Sequence, residues 1–279
     1  MGDYLTKFRQ AIEAGGLTPP DEIIDDGKLH RFSTNRKRGD DSGWYVLHCD
    51  GIPAGTFGCW RSGLQSTWCA KSDNELTGTE RQAMRERIES MKRQREAEEF
   101  RLNDEAADKA AAMWQAAPPA DEKHGYIRRK GIKPHGTKIN PEGWLLVPMR
   151  DTSGKLWNVE RIAPEKPQTG TDKKGLYGGR RKALYFGIGK PEGILIVCEG
   201  FATGASIHEC TGHAVAVAFN AGNLEPVALA LRAKYPAMLI VIAADDDHAT
   251  AGNPGMTKAT AAARAVGGVV AVPNFGRAA

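Results

Sequence analysis

The sequence predicts an α/β protein whose C-terminal parallel sheet carries the chemistry, preceded by smaller α/β and α+β elements. Three observations predict it. Two short apolar runs, Ile194 to Cys198 and Leu239 to Ala244, each stop abruptly at acid, in Glu199 and in Asp245-Asp246-Asp247. From 191 to 279, strand-like and helix-like segments alternate. Charge is also uneven: residues 1–120 carry 17 Lys/Arg against 20 Asp/Glu (−3), 121–190 carry 16 against 7 (+9), and 191–279 carry 5 against 7 (−2).

Residues 1–78 read as a small α/β unit. Tyr4 to Ala14 forms a short helix ended by Gly15-Gly16. Gly43 to Cys49 reads as a strand, Asp50-Gly51 as a hairpin turn, Gly55 to Trp60 as the return strand, and Thr67-Trp68 as a third. Trp44, Tyr45, Phe57, Trp60 and Trp68 read as core, with a base-stacking face as the alternative. Thr79-Glu80-Arg81-Gln82 fits a capping box, opening a charged helix to about Trp114 with a narrow stripe of Met84, Ile88 and Met91. Its charges alternate in sign, as on a solvated spacer helix. Ala116-Ala117-Pro118-Pro119 ends this segment, 79–120.

Residues 121–190 read as a basic α+β subdomain, with strands at 144–149 and from Leu156 to Ile162 joined by a turn at Asp151 to Gly154. Residues 191–279 read as a four-stranded parallel sheet with flanking helices: strands at 194–198, 214–218, 238–243 and 268–272, helices near 202–210, 223–234 and 255–266. Runs this short and rich in Ile, Leu and Val suit strands buried on both faces.

Hydrophobic content of 41% and charged content of 26% are ordinary for a globular chain. No apolar run is long enough to span a bilayer, and Met1-Gly2-Asp3-Tyr4 does not begin a signal peptide, so the protein reads as cytoplasmic with no membrane partner. Cys49, Cys59, Cys69, Cys198 and Cys210 include no CxxC pair and read as buried reduced thiols rather than a zinc site.

Open α/β sheets place their chemistry outside the carboxyl ends of the strands, where Glu199 and the Asp run fall. Side chains two apart on extended backbone point the same way, so Asp245 and Asp247 can share an ion while Asp246 points elsewhere. Such an oxygen-rich set suits Mg²⁺ and phosphoryl transfer. A +9 segment beside it suggests a polyanion held next to a metal, with a solvated basic surface as the alternative.

Glu199-Gly200-Phe201-Ala202-Thr203-Gly204 resembles the EGYAT-type motif of plasmid and phage DNA primases, and Ala244-Asp245-Asp246-Asp247 looks like the DxD motif of their Toprim domain. Asn220 to Leu224 and Asn253-Pro254-Gly255 are similar to sequences of the same branch. Tyr126 to Ile132, Leu146 to Asp151 and Lys173 to Gly179 resemble the basic region before Toprim, and Asp50 to Gly55 and Phe57 to Arg61 resemble the N-terminal part of phage relatives. The resemblance implies that Glu199 acts as general base or metal ligand and that Asp245 and Asp247 hold Mg²⁺, with Mn²⁺ as a substitute. It implies RNA primer synthesis from nucleoside triphosphates on single-stranded DNA.

Arg128, Arg129, Lys130, Arg161, Lys173, Arg180, Arg181 and Lys182 are candidates for phosphate contacts, with Arg161 and Lys173 the preferred pair. Gly200 lets a helix N-terminus approach the site, and Lys258 lies one turn into the helix after Asn253-Pro254-Gly255. No Walker A loop is present, so a helicase partner is expected from another chain or a further domain. The chain reads either as a complete small protein or as a piece of a longer primase-helicase. No Asp or Glu follows Asp247, which favours a single held ion. The rival readings are a Toprim-type nuclease and a non-catalytic DNA-binding adaptor of the replisome.

Overall fold

The computed structural model describes residues 3–37, 40–71, 77–168, 171–245 and 253–272. It forms two compact units, Met1–Phe100 and Arg101–Ala279.

In the first unit, helix α1 (Asp3–Ala14) accompanies an antiparallel sheet in the order β1 (His30–Phe32), β2 (Gly43–His48), β3 (Ala54–Cys59) and β4 (Leu64–Cys69). The three expected strands are present. His30–Phe32 is an additional edge strand, too short to show a period of two in the sequence. Phe8 and Ile12 of α1 bury against Phe32, Tyr45, Leu47 and Phe57, with Phe8 edge-on to Tyr45 and Phe57 at 6.0 and 5.9 Å. Trp44, Tyr45 and Phe57 are thus core, while Trp60 and Trp68 are half-buried.

Helix α2 (Gly78–Ala116) is the charged helix. Its capping box begins two residues earlier than expected: Glu80 N donates to Thr77 Oγ1 at 3.3 Å, and Thr77 N donates to Glu80 Oε2 at 2.8 Å. Two Thr-x-x-Glu/Gln frames overlap there, and an anion at the helix N-terminus is favoured over the Gln82 amide. Within the first unit the helix is more than a solvated spacer. Met84 and Met91 are buried, Arg87 donates to the Ile52 carbonyl at 3.0 Å, and Arg95 lies over the Trp44 ring at 5.9 Å; Ile88 stays exposed.

In the second unit, α3 (Gly125–Lys130) precedes a small antiparallel sheet in the order β5 (Lys138–Ile139), β6 (Leu145–Arg150), β7 (Leu156–Ile162) and β8 (Lys173–Lys174). The larger sheet follows. The four expected parallel strands are β10 (Ile194–Cys198), β11 (Ala214–Val217), β12 (Leu239–Ala243) and β13 (Val269–Ala271), in the spatial order β13-β12-β10-β11. A fifth strand, β9 (Phe186–Ile188), joins β11 antiparallel at the edge. Three residues around a glycine gave no strand signal.

Helices α4 (Phe201–Thr211), α5 (Leu224–Lys234) and α6 (Pro254–Val266) flank the sheet. Alternation along β10 explains why its run is wholly apolar. Leu195 and Val197 pack with Leu224, Val227 and Ala259 on one face; Ile196 and Cys198 pack with Phe201, Phe186 and Tyr126 on the other. Burying one such side chain stabilises the fold by about 1.5–3 kcal/mol.

Of the cysteines, Cys59 and Cys198 are buried as expected, Cys69 is half-buried, and Cys49 and Cys210 are exposed. Among the described residues no helix is long and apolar enough to cross a membrane.

Candidate active site

Strands β10 and β12 are parallel neighbours in which Cys198 pairs with Ala243. Glu199 therefore lies one residue, and Asp245 two residues, beyond a register pair, and both line one open cleft of about 190 Å³. Tyr126, Lys130, Lys173, Gly200, Ala202, Thr203 and Phe219 complete its wall. Asp247, the third expected carboxylate, and Asp246 lie outside the described residues.

Helix α4 opens directly behind Glu199. Gly200 is its N-cap, in extended conformation (φ −103°). A β-carbon there would stand 3.6 Å from Thr203 Oγ1 and 3.9 Å from Lys173 Nζ, ordinary contacts, so bulk alone does not demand glycine. Gly204, one turn on, has a stricter reason. A β-carbon would come within 2.7 Å of Val217 Cγ2 and 3.0 Å of Cys198 Sγ, so only glycine lets α4 lie this close to the sheet.

The buried Cys198 thiol titrates well above its ordinary range, first because of burial and then because of the charges of Asp245 and Glu199. It therefore stays protonated and contributes no soft thiolate. What the cleft offers a cation is a pair of carboxylates, and hard oxygen donors of this kind fit Mg²⁺ or Mn²⁺. Among the described residues, no three His, Cys, Asp or Glu side chains come together as a metal-holding group.

Opposite charge arrives from two elements. Lys130 ends α3, whose Gly131 cap sits in the left-handed region at φ 63°. Lys173 begins β8, paired through its backbone with Ile162. Tyr126 lines the cleft between them, nearly parallel to Phe201 with ring centres 6.4 Å apart, and Arg129 lies 5.4 Å over its ring. Burial pushes the Tyr126 phenol up to about 12, helped by the charges of Asp172 and Glu160, so it is neutral near pH 7. Phe219 holds φ 71°, a conformation costly for a bulky side chain, and it too faces the cleft.

The other expected cations stand elsewhere. Arg129 donates to the Pro164 carbonyl at 2.9 Å and pairs with Asp172 at 3.4 Å. Arg161 turns its guanidinium to the Gly175 carbonyl at 3.3 Å, so of the preferred pair only Lys173 lines the cleft. Arg180 lies over Trp157 at 5.0 Å and donates to the Lys182 carbonyl. Arg181 pairs with Glu160 at 3.2 Å. Arg128 and Lys182 are exposed, and Lys258 is exposed on α6, outside the cleft wall.

Sequence reasoning missed Tyr126, Thr203 and Phe219 as cleft residues, and it missed the buried carboxylate Glu160. Burial raises the Glu160 carboxyl pKa, while Lys173 and Arg181 pull it back and Asp172 and Glu199 add to the rise. An acid inside an otherwise strand-like run was the available signal. The motif Asn220 to Leu224 serves the fold. Its Asn223 accepts from Ala183 N at 2.8 Å and donates to the carbonyls of Leu184 at 3.0 Å and Ala218 at 2.8 Å.

Residues 194–275 match the family model of the Toprim domain. The chain is 36% identical over 284 residues to a DNA primase TraC of Escherichia coli, covering 96% of this chain and 26% of that protein. A second DNA primase TraC of Escherichia coli is 32% identical over 286 residues, covering 96% and 19%. The chain thus spans about a quarter or less of the length of the curated relatives it matches. Among solved structures, the Aquifex aeolicus primase (zinc-binding and RNA polymerase domains) aligns with a TM-score of 0.44 at 11% identity, over 100% of this chain and 81% of that one, a likeness too loose to position any residue. The C-terminal segment carries a Toprim domain, within a chain similar along nearly its whole length to part of the DNA primase TraC proteins.

Proposed function

We propose that this chain performs template-directed primer synthesis, joining nucleoside triphosphates on single-stranded DNA. The observation that carries this reading is the shared cleft of Glu199, Asp245, Lys130 and Lys173: two carboxylates for a divalent ion and two ammonium groups for phosphate in one wall. Toprim domains use divalent metal ions. Here Glu199 and Asp245 would hold Mg²⁺, or Mn²⁺ in its place, with Asp247 as a further ligand. When bound, the ion supplies polarisation of the α-phosphate and a lower pKa for the attacking 3′-hydroxyl.

The chain's own residues do the rest. Lys173 and Lys130 neutralise and orient the triphosphate. The 3′-oxygen attacks the α-phosphorus, and the bond to the β-phosphate oxygen breaks, so pyrophosphate leaves. A solvent water takes the hydroxyl proton, since Glu199 is held as a ligand. Tyr126 and Phe219 give the cleft an aromatic wall that limits water. The exposed Arg128, Lys174 and Lys182 carry the template's phosphates, and a replicative helicase belongs to another chain or domain.

Single-stranded DNA, labelled nucleoside triphosphates and Mg²⁺ are incubated with the protein and the products resolved by length. Short oligonucleotides that require both template and metal support the reading. Nicking of the DNA without any triphosphate requirement would favour a nuclease. Salt-sensitive binding without turnover would favour an adaptor.

A further inference from the structure

Strand β7 carries two buried polar side chains two residues apart, Asn158 and Glu160, with 0% and 3% exposure. Both reach the basic loop that runs from Lys173 to Ala183. Asn158 Oδ1 accepts from Leu176 N at 3.0 Å, and its Nδ2 donates to the Arg180 carbonyl at 3.1 Å. Glu160 Oε1 accepts from Arg181 Nη2 at 3.2 Å. At Gly179 the loop's approach leaves no room for a side chain. A β-carbon at Gly179 would lie 2.3 Å from Asn158 Nδ2 and 3.2 Å from the Ala106 β-carbon, and Gly178 adopts φ 69°. Asp172, just before the loop, is fastened by Arg129 at 3.4 Å.

The loop bears five cations, Lys173, Lys174, Arg180, Arg181 and Lys182, and their mutual repulsion opposes this compact path. The Arg181 guanidinium lies against Gly175, 3.5 Å from where a β-carbon would be, and its buried Nε has no acceptor among the described residues. With the Glu160 carboxylate buried and the Arg181 side chain 40% exposed, the pair adds little net stability, so its contribution here is to geometry.

We propose that Glu160 is a positioning residue for nucleotide binding: by anchoring Arg181 it fixes the path of the basic loop and sets Lys173 at the cleft, where it meets the triphosphate. This rests on the primase reading above and adds to it the device that orients the phosphate-binding lysine.

The test is steady-state primer synthesis by the full chain, comparing the wild type with Glu160→Gln, Glu160→Ala and Glu160→Met. Glu160→Ala should raise KM for the nucleotide about tenfold with kcat nearly unchanged, the size expected for losing one charge-assisted hydrogen bond. Glu160→Gln keeps an oxygen for Arg181 and should stay within about twofold of the wild type. Glu160→Met fills the volume without an acceptor and should match Ala, so it stands in for the Ala variant if that protein does not fold. Equal KM in all four proteins overturns the proposal. So does a loss in Gln as large as in Ala, which would make charge rather than anchoring decisive. A wild type that makes no primer contradicts the primase reading and this inference together; a wild type that primes beside variants with its own KM contradicts this inference alone.

Discussion

Glu199 and Asp245 leave adjacent parallel strands just past the register pair Cys198–Ala243, and this pairing alone brings two carboxylates 46 residues apart in sequence into one cleft. Two like charges in one cleft repel each other, and a divalent ion bound by both lowers that cost. Asp245→Asn and Glu199→Gln should each lower primer synthesis by on the order of 10² or more. Thermal melting without metal should show each variant at least as stable as the wild type. Mg²⁺ should raise the wild-type midpoint and leave that of the double variant unmoved.

Gly204 sets how closely α4 meets the sheet. Gly204→Ala forces a methyl to 2.7 Å from Val217 and 3.0 Å from Cys198, and neither neighbour can withdraw from the core. Overpacking of this kind costs about 1–3 kcal/mol, which denaturant unfolding would read directly. Activity should fall as well, because Glu199 directly precedes the displaced helix. A variant of unchanged stability would show that α4 shifts more freely than this packing implies.

Asn223 stitches the turn before β9 to the end of β11. Asn223→Ala strands the Ala183 amide and two carbonyls in a buried setting, at a cost of about 1–3 kcal/mol. Asn223→Asp should be worse, since an acid cannot donate to the carbonyls of Leu184 and Ala218. Chemical denaturation of both variants tests the ranking.

Acid should weaken the first unit through Asp40. Burial pushes this carboxyl up, but hydrogen bonds from Ser42 and Thr34 and the charge of Arg61 outweigh it, leaving its pKa lowered from 3.8 to about 2. A pKa lowered by folding gives stability that is fully present above pH 3.8 and is lost as pH falls towards about 2. Asp40→Asn should be less stable at neutral pH and flatter across that window. Melting midpoints of both proteins between pH 5 and 2 would show it.

Much of the C-terminal sheet was legible in the sequence because β10 is buried on both faces and β12 on one, with its other face partly covered, so both runs stay apolar until they reach the site. Chemistry was legible at the same places, where apolar runs end in acid. β1 and β9 were not: each is three residues long and, unlike β13 in the apolar run Val269 to Val272, is broken by polar residues or glycine. Lys173 was legible as one of a preferred pair with Arg161, and the sequence did not say which of the two lines the cleft. Its neighbour Arg161, equally suitable by sequence, points to the Gly175 carbonyl instead, a choice made by the path of the loop. Tyr126 entered the cleft through tertiary packing on Phe201, for which a six-residue helix offers no advance notice.

The most direct test measures pyrophosphate release alongside primer length, on single-stranded DNA with Mg²⁺, for the wild type and Asp245→Asn. One pyrophosphate should be released per nucleotide joined, dependent on template and metal and lost in the variant. Primer synthesis undiminished in Asp245→Asn, or DNA cleavage in place of pyrophosphate release, would contradict the assignment of this cleft to primer synthesis.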